Sequence, residues 1–164
     1  MPDTPPTPHT DTDKPRSGLS IRNLSRIGRT ILETGVEVFG ADALGVPVHS
    51  NGHLGCDVLR VPPHGGFPIH THPGDHLLLC LDGEGSITLD GVEHTVTPGD
   101  IYMIPGAVPH AVGAGELPHV LLAVGAPHKP VASPERMTFT DWAGVPLNAP
   151  LFPEDTQPEI PRQR

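Results

Sequence analysis

Four of the eleven histidines stand where one metal ion could gather them: His70, His72 and His76 lie close together, and His110 follows a later apolar run. The stretch 65–76 reads GGFPIHTHPGDH, and Pro68 and Pro73 rule out a helix and leave extended backbone. In a strand, residues i and i+2 share a face with Cα atoms about 6.6 Å apart, so two imidazoles can close on one ion at roughly 2.1 Å. His70 and His72 form such a pincer. Pro73-Gly74 supplies a turn after which His76 can open the next strand and face the same cavity. His110 follows IPGAVP at 104–109, a loop able to set a histidine opposite the pincer, and spacing alone leaves its membership open.

These histidines need strands to hold them. Short apolar runs at 54–61, 76–81, 86–89, 92–97, 100–104 and 120–125, each bounded by Gly, Pro or Asp, read as strands. Asp82-Gly83 and Asp90-Gly91 suit tight hairpin turns, so neighbouring strands run antiparallel in a sandwich or barrel. Before them, Leu24, Ile27 and Ile31 fall at helical spacing within 22–34, and Gly35 stands where a left-handed helix cap would end the element. The segment 137–142 can add an edge strand.

With 164 residues and 36% hydrophobic content, the chain suits one domain with one core. The 19 glycines sit mainly in the middle, and ten of the 22 prolines crowd the two ends, five before residue 19 and five from residue 146 on. The expected division is a disordered tail over 1–19, a barrel domain with its short helix over 20–145, and a Pro-rich extension over 146–164 without regular structure. A net charge of −9 with no Lys/Arg cluster argues against nucleic acid and membrane as partners. No apolar stretch approaches the roughly 20 residues of a membrane span, and no signal-peptide core opens the chain, so a cytoplasmic protein is expected. Cys56 and Cys80 sit inside apolar runs and read as free thiols.

The histidine pattern resembles the first cupin motif, a His-x-His pair followed by a third ligand and then a glycine, met here by His70, His72, His76 and Gly83. Gly99, Pro105 and His110 are similar to the second motif. The resemblance implies an all-β fold, a single cupin jelly-roll barrel, with His70, His72, His76 and His110 as metal ligands. Position 76 usually holds Glu in the family, position 64 is His rather than the motif-opening Gly, and position 114 is Ala rather than Asn. Replacing Glu by His76 removes a negative charge from the ligand set, so a bound divalent ion keeps its full charge and favours anionic ligands.

The implied cofactor is one divalent transition-metal ion, Fe, Mn, Ni, Cu or Zn, since imidazole suits them all. The implied function is a metal-dependent oxygenase acting on a small enolate or phenolate. The alternatives are a non-redox cyclase, lyase or isomerase, and a sensor module without turnover. A small-molecule substrate and a homodimer through edge strands are the expected partners. No protein base is assigned unless His64 or Asp75 reaches the substrate. His64, His94 and His119 otherwise read as solvated, and Asp75 as a turn residue or an orienting carboxylate. Tyr102 reads as packing before oxyanion donor, and Cys80 as a buried small hydrophobe. Phe67, Ile69, Leu78, Met103 and Leu121 are candidates for an apolar pocket wall.

Overall fold

A computed structural model describes residues 19–156. The expected tail, apart from residue 19, and the last part of the Pro-rich extension lie outside the described residues. Helix α1 (Leu24–Thr34) starts at Asn23, whose side-chain oxygen accepts the Arg26 N–H at 2.9 Å and satisfies one orphan donor of the first turn. Ile27 and Ile31, one turn apart, are buried against Val46, Val58 and Val120 on the outside of the sheet. Gly35 departs from the expected left-handed cap: its φ is −72° and its ψ 149°. Glycine serves there by close approach, because a Cβ would run into the Ile31 carbonyl and the Leu44 side chain.

Among the described residues the strands are β1 (Val36–Glu37), β2 (Leu44–Ser50), β3 (Gly55–Val61), β4 (His70–Thr71), β5 (His76–Leu89), β6 (Val92–Val96), β7 (Ile101–Ile104), β8 (His110–Gly125) and β9 (Thr138–Phe139). All pair antiparallel in the order β1-β2-β3-β8-β4-β9, while β5 lies along β8 and carries β6 and β7 on its other edge. The sheet curls on itself, and the apolar residues on its inner face form one core from Leu59 and Val61 through Leu78, Ile87 and Ile104 to Leu121 and Ala123. The all-β barrel expectation holds.

Three local expectations change. Asp82-Gly83 is not a hairpin: β5 runs straight through it as one strand, slipping register between Cys80 and Asp82 and again between Gly83 and Gly85. Gly83 has φ +82° and a Cβ there would strike the Pro118 carbonyl oxygen, so the residue type that suits a turn here makes a bulge. Asp90-Gly91 does close a hairpin, with φ of 50° and 77° and Leu89 paired to Val92. Strand β2, with Pro47 inside it, was not expected, and its register slips between Pro47 and His49. In the C-terminal extension Pro153–Thr156 forms a 3-10 turn, because proline tolerates the first turn of a helix. The extension also docks, since the Ile69 N–H donates to the Leu151 carbonyl at 2.8 Å.

The α1 contact predicts that Ile31→Ala, which empties a fully buried site, costs about 2–5 kcal/mol in urea denaturation. Leu32→Ala on the exposed face of the same helix, at 65% exposure, should stay within about 0.5 kcal/mol of the parent.

Candidate metal centre

Strand register assembles the site. His70 on β4 pairs with His110 at the start of β8, and on its other side with Phe139 of β9. His72 follows β4 by one residue and His76 opens β5. The two motif loops are stitched together: the His72 N–H donates to the Gly106 carbonyl at 2.9 Å, and the Gly106 N–H donates to Asp75 Oδ1 at 3.1 Å. A Cβ at Gly106 would collide with the carbonyls of His72 and Gly74. Asp75 therefore ties the two loops together through Gly106.

The ring nitrogens identify the free lone pairs. Nδ1 of His70 lies 2.7 Å from the Pro68 carbonyl, Nδ1 of His110 lies 2.7 Å from the Val108 carbonyl, and Nδ1 of His72 lies 3.0 Å from the Gly74 carbonyl. A carbonyl only accepts, so each Nδ1 carries the proton and each Nε2 of a neutral ring presents a lone pair. Nε2 of His72 and Nε2 of His110 face each other at 3.1 Å. In the neutral rings nothing lies between them to share, and a cation relieves the repulsion. One ligand atom from each of His70, His72 and His110 lies within 4.8 Å of the others. Metal–nitrogen bonds of about 2.1 Å separate neighbouring nitrogens by about 3.0 Å in an octahedron or about 3.4 Å in a tetrahedron, so the His72–His110 separation is that of two ligands on one transition-metal ion.

His76 lies beside this group. Its ring stacks on His72 with centroids 3.7 Å apart and planes 17° apart, and its tip covers Gly125, where no Cβ is in the way. The structure brings three of the four expected histidines together as a ligand group and leaves the fourth beside it, its ring stacked on His72.

The wall is apolar. Leu59, Phe67, Leu78, Ile104, Val112, Leu121, Ala123 and Met137 enclose the four imidazoles, and Arg136 enters from the segment before β9. Of the expected wall residues, Phe67, Leu78 and Leu121 are there. Ile69 is buried but faces away, and Met103 lies on the outside at 58% exposure, because on β7 it is Ile104 that points inward. The free volume is about 30 Å³, room for one or two water-sized groups.

Burial sets the protonation of the cluster. Desolvation, then the neighbouring His110, holds His70 well below the usual imidazole range, and desolvation likewise lowers His72. Burial first, then His72 and Arg136, brings His76 to about 3, and burial brings His110 to about 4. The rings are neutral at ordinary pH, as metal ligands must be.

Other candidates fall elsewhere. His64 is exposed and pairs with Glu116 at 3.4 Å, and His94 is exposed on β6. His119 departs from the solvated reading: it is fully buried, with Nδ1 3.1 Å from the Gly113 carbonyl and its ring over Gly85. Cys80 is a buried free thiol and Cys56 a half-buried one. Tyr102 packs on the core, outside the cavity wall. Arg136 was missed, and its one sequence signal is a lone basic residue ahead of a possible edge strand.

Residues 57–125, which span all four histidines, match the Cupin domain family. The quercetin 2,3-dioxygenase of Bacillus subtilis (strain 168) is 32% identical over 88 residues, covering 42% of this chain and 26% of that protein. The chain thus spans about a quarter of the length of the curated relative it matches. A polyketide cyclase, RemF from Streptomyces resistomycificus, superposes with a TM-score of 0.54 at 24% identity over 65% of this chain and 78% of its own. An RmlC-like cupin from Shewanella frigidimarina superposes with a TM-score of 0.53 at 20% identity over 60% and 87%. Residues 57–125 thus form a cupin domain, in which His70, His72 and His110 stand positioned for metal binding.

The depressed imidazoles set a pH dependence. Below the unfolded value of about 6.5 the unfolded chain takes up protons that the folded cluster refuses. The metal-free protein is expected to hold full stability above about pH 6.5 and to lose it as pH falls toward about 4, by up to about 1.4 kcal/mol per unit for each histidine. Urea midpoints at pH 7.5 and pH 5 measure this, and His70→Phe should flatten the slope. Equal midpoints in the parent protein would contradict neutral burial.

Proposed function

We propose that the protein is a metal-dependent cupin enzyme, an oxygenase that binds a small enolate or phenolate on an ion held by His70, His72, His76 and His110. The observation that carries the reading is the group of lone pairs converging in an apolar cavity whose described lining contains no carboxylate. When bound, one divalent ion (Fe, Mn, Ni, Cu or Zn) supplies an uncompensated positive charge that polarises an oxygen ligand and, for a redox metal, opens reaction with dioxygen.

The chain's own residues hold, orient and exclude. The carbonyls of Pro68, Gly74 and Val108 fix the ligand tautomers. Phe67, Leu78, Ile104 and Met137 keep water from the reacting centre and limit the substrate to a small one. No base is assigned from His64, which is exposed, or from Asp75, whose carboxylate is engaged by Gly106. Rotation of His76 off the His72 ring completes the ligand set. Among the described residues no helix is long and apolar enough to cross a membrane.

A dimer accompanies this reading. Ile101 and Met103, exposed on the edge strand β7, pair with Leu79 and Leu77 of β5 and so share one outward apolar face with them. Sedimentation should give a dimer for the parent chain and a shift to monomer for Met103→Glu, and a monomeric parent would end that proposal.

Elemental analysis of protein purified without a histidine tag tests the function. About one ion per chain is expected, lowered in both His76→Ala and His110→Ala. Fe, Cu, Ni or Mn with dioxygen uptake on enolate or phenolate substrates supports the oxygenase. Stoichiometric Zn with turnover independent of dioxygen replaces it by Lewis-acid chemistry, and a metal-free protein overturns both.

A further inference from the structure

We propose that Arg136 is the anchor for a carboxylate on the substrate, so that the enzyme takes small enolates bearing a carboxylate group. This deepens the metal-centre reading and rests on it. Among the described residues lining the histidine cavity, Arg136 is the one with a permanent charge, and the remainder of the wall is imidazole and hydrocarbon. A guanidinium facing such a cavity, only 7% exposed, has an anion as its natural partner.

The side chain is held from behind. Nη1 donates to Asp57 Oδ2 at 2.8 Å and to the Lys129 carbonyl at 2.8 Å, and His128 Nε2 sits 3.1 Å from the same Asp57 oxygen. Both of those Arg136 bonds leave from one nitrogen. The fork has five N–H donors, and among the described residues Nε and Nη2 make no hydrogen bond, which leaves a pair of donors in the geometry that carboxylates accept. Asp57, 1% exposed, accepts from the guanidinium and offsets its charge. The rigid backing means that a carboxylate finds the fork already oriented, at little cost in side-chain entropy. A substrate with an enolate oxygen on the ion and a carboxylate on Arg136 bridges the two positive groups of the cavity.

Acetylacetone and 2,4-dioxopentanoate separate the two interactions, since both chelate as enolates and differ by a methyl group against a carboxylate. The visible absorption of the Co(II)-substituted protein reports binding of each without turnover. The parent protein should bind 2,4-dioxopentanoate at least tenfold more tightly, as expected of a charge-assisted pair. Arg136→Gln should abolish the preference, read as the ratio of the two affinities so that any general loosening of the site cancels, and Arg136→Lys should retain part of it. Asp57→Asn with Arg136→Gln removes both buried charges and gives the same readout if the single variant, left with an unpaired Asp57, does not fold. A parent protein that binds both probes equally, or a preference that survives Arg136→Gln, overturns the inference and leaves the metal centre standing. Failure to take up Co(II) overturns the metal centre and the inference with it.

Discussion

Two imidazole nitrogens that cannot both keep their lone pairs comfortable set the terms for this structure. His72 and His110 bring their Nε2 atoms to 3.1 Å of each other inside an apolar wall, with each Nδ1 committed to a carbonyl. Solvent would relax such a contact in the open, and burial denies it. The barrel holds the arrangement because the constraint comes from backbone rather than from the rings: His70 and His110 each donate to the carbonyl two residues before them, at the same 2.7 Å. Pro68 and Pro109 restrict the two accepting segments, the second of which is a turn closed by the Val108 N–H on the Pro105 carbonyl, and the β4–β8 register brings the two devices face to face.

The same burial explains the charge pattern around the centre. Desolvation suppresses protonation of all four histidines, which removes the repulsion of imidazolium groups and readies the nitrogens for an ion. The nearby buried carboxylate, Asp57, is turned outward to Arg136 and His128 and does not enter the cavity wall. An ion at the centre would therefore keep more of its charge than one with a carboxylate ligand, and anions would be its preferred guests.

Strand alternation made much of the centre readable from residue order. Parity places His70 with His72 and His76 with Leu78, and all four line the cavity. Parity failed at Met103 because a one-residue choice at the start of β7 decides which side chains face in, and the turn before it, where Asp100 Oδ2 accepts the Thr97 N–H at 2.8 Å, sets that choice. Gly83 misled for a related reason: a left-handed glycine serves a turn or a bulge equally, and the Pro118 carbonyl across the sheet distinguishes them. His119 and Arg136 were hidden for a different one. Their burial depends on pairings between distant segments, β8 on β5 for the first and β9 on β4 for the second, and no local pattern encodes those.

The long-range pairing of β9 also explains why the centre is more than a pair of motifs. Without it, His70 on β4 would have β8 on one side and no strand on the other. Phe139 pairs with His70, Thr138 with Thr71, and the Thr140 N–H donates to the Ile69 carbonyl at 3.0 Å, so the two-residue strand β4 is flanked on both edges. A strand that short has too few ladder bonds to hold a side chain still by itself. The segment that steadies it also delivers Arg136 and Met137 to the cavity, and the Asp57 ion pair ties that segment back to β3. Rigidity of the ligands and shape of the pocket therefore come from one stretch of chain, and a change that loosens the 129–140 region would disturb metal geometry and substrate fit together.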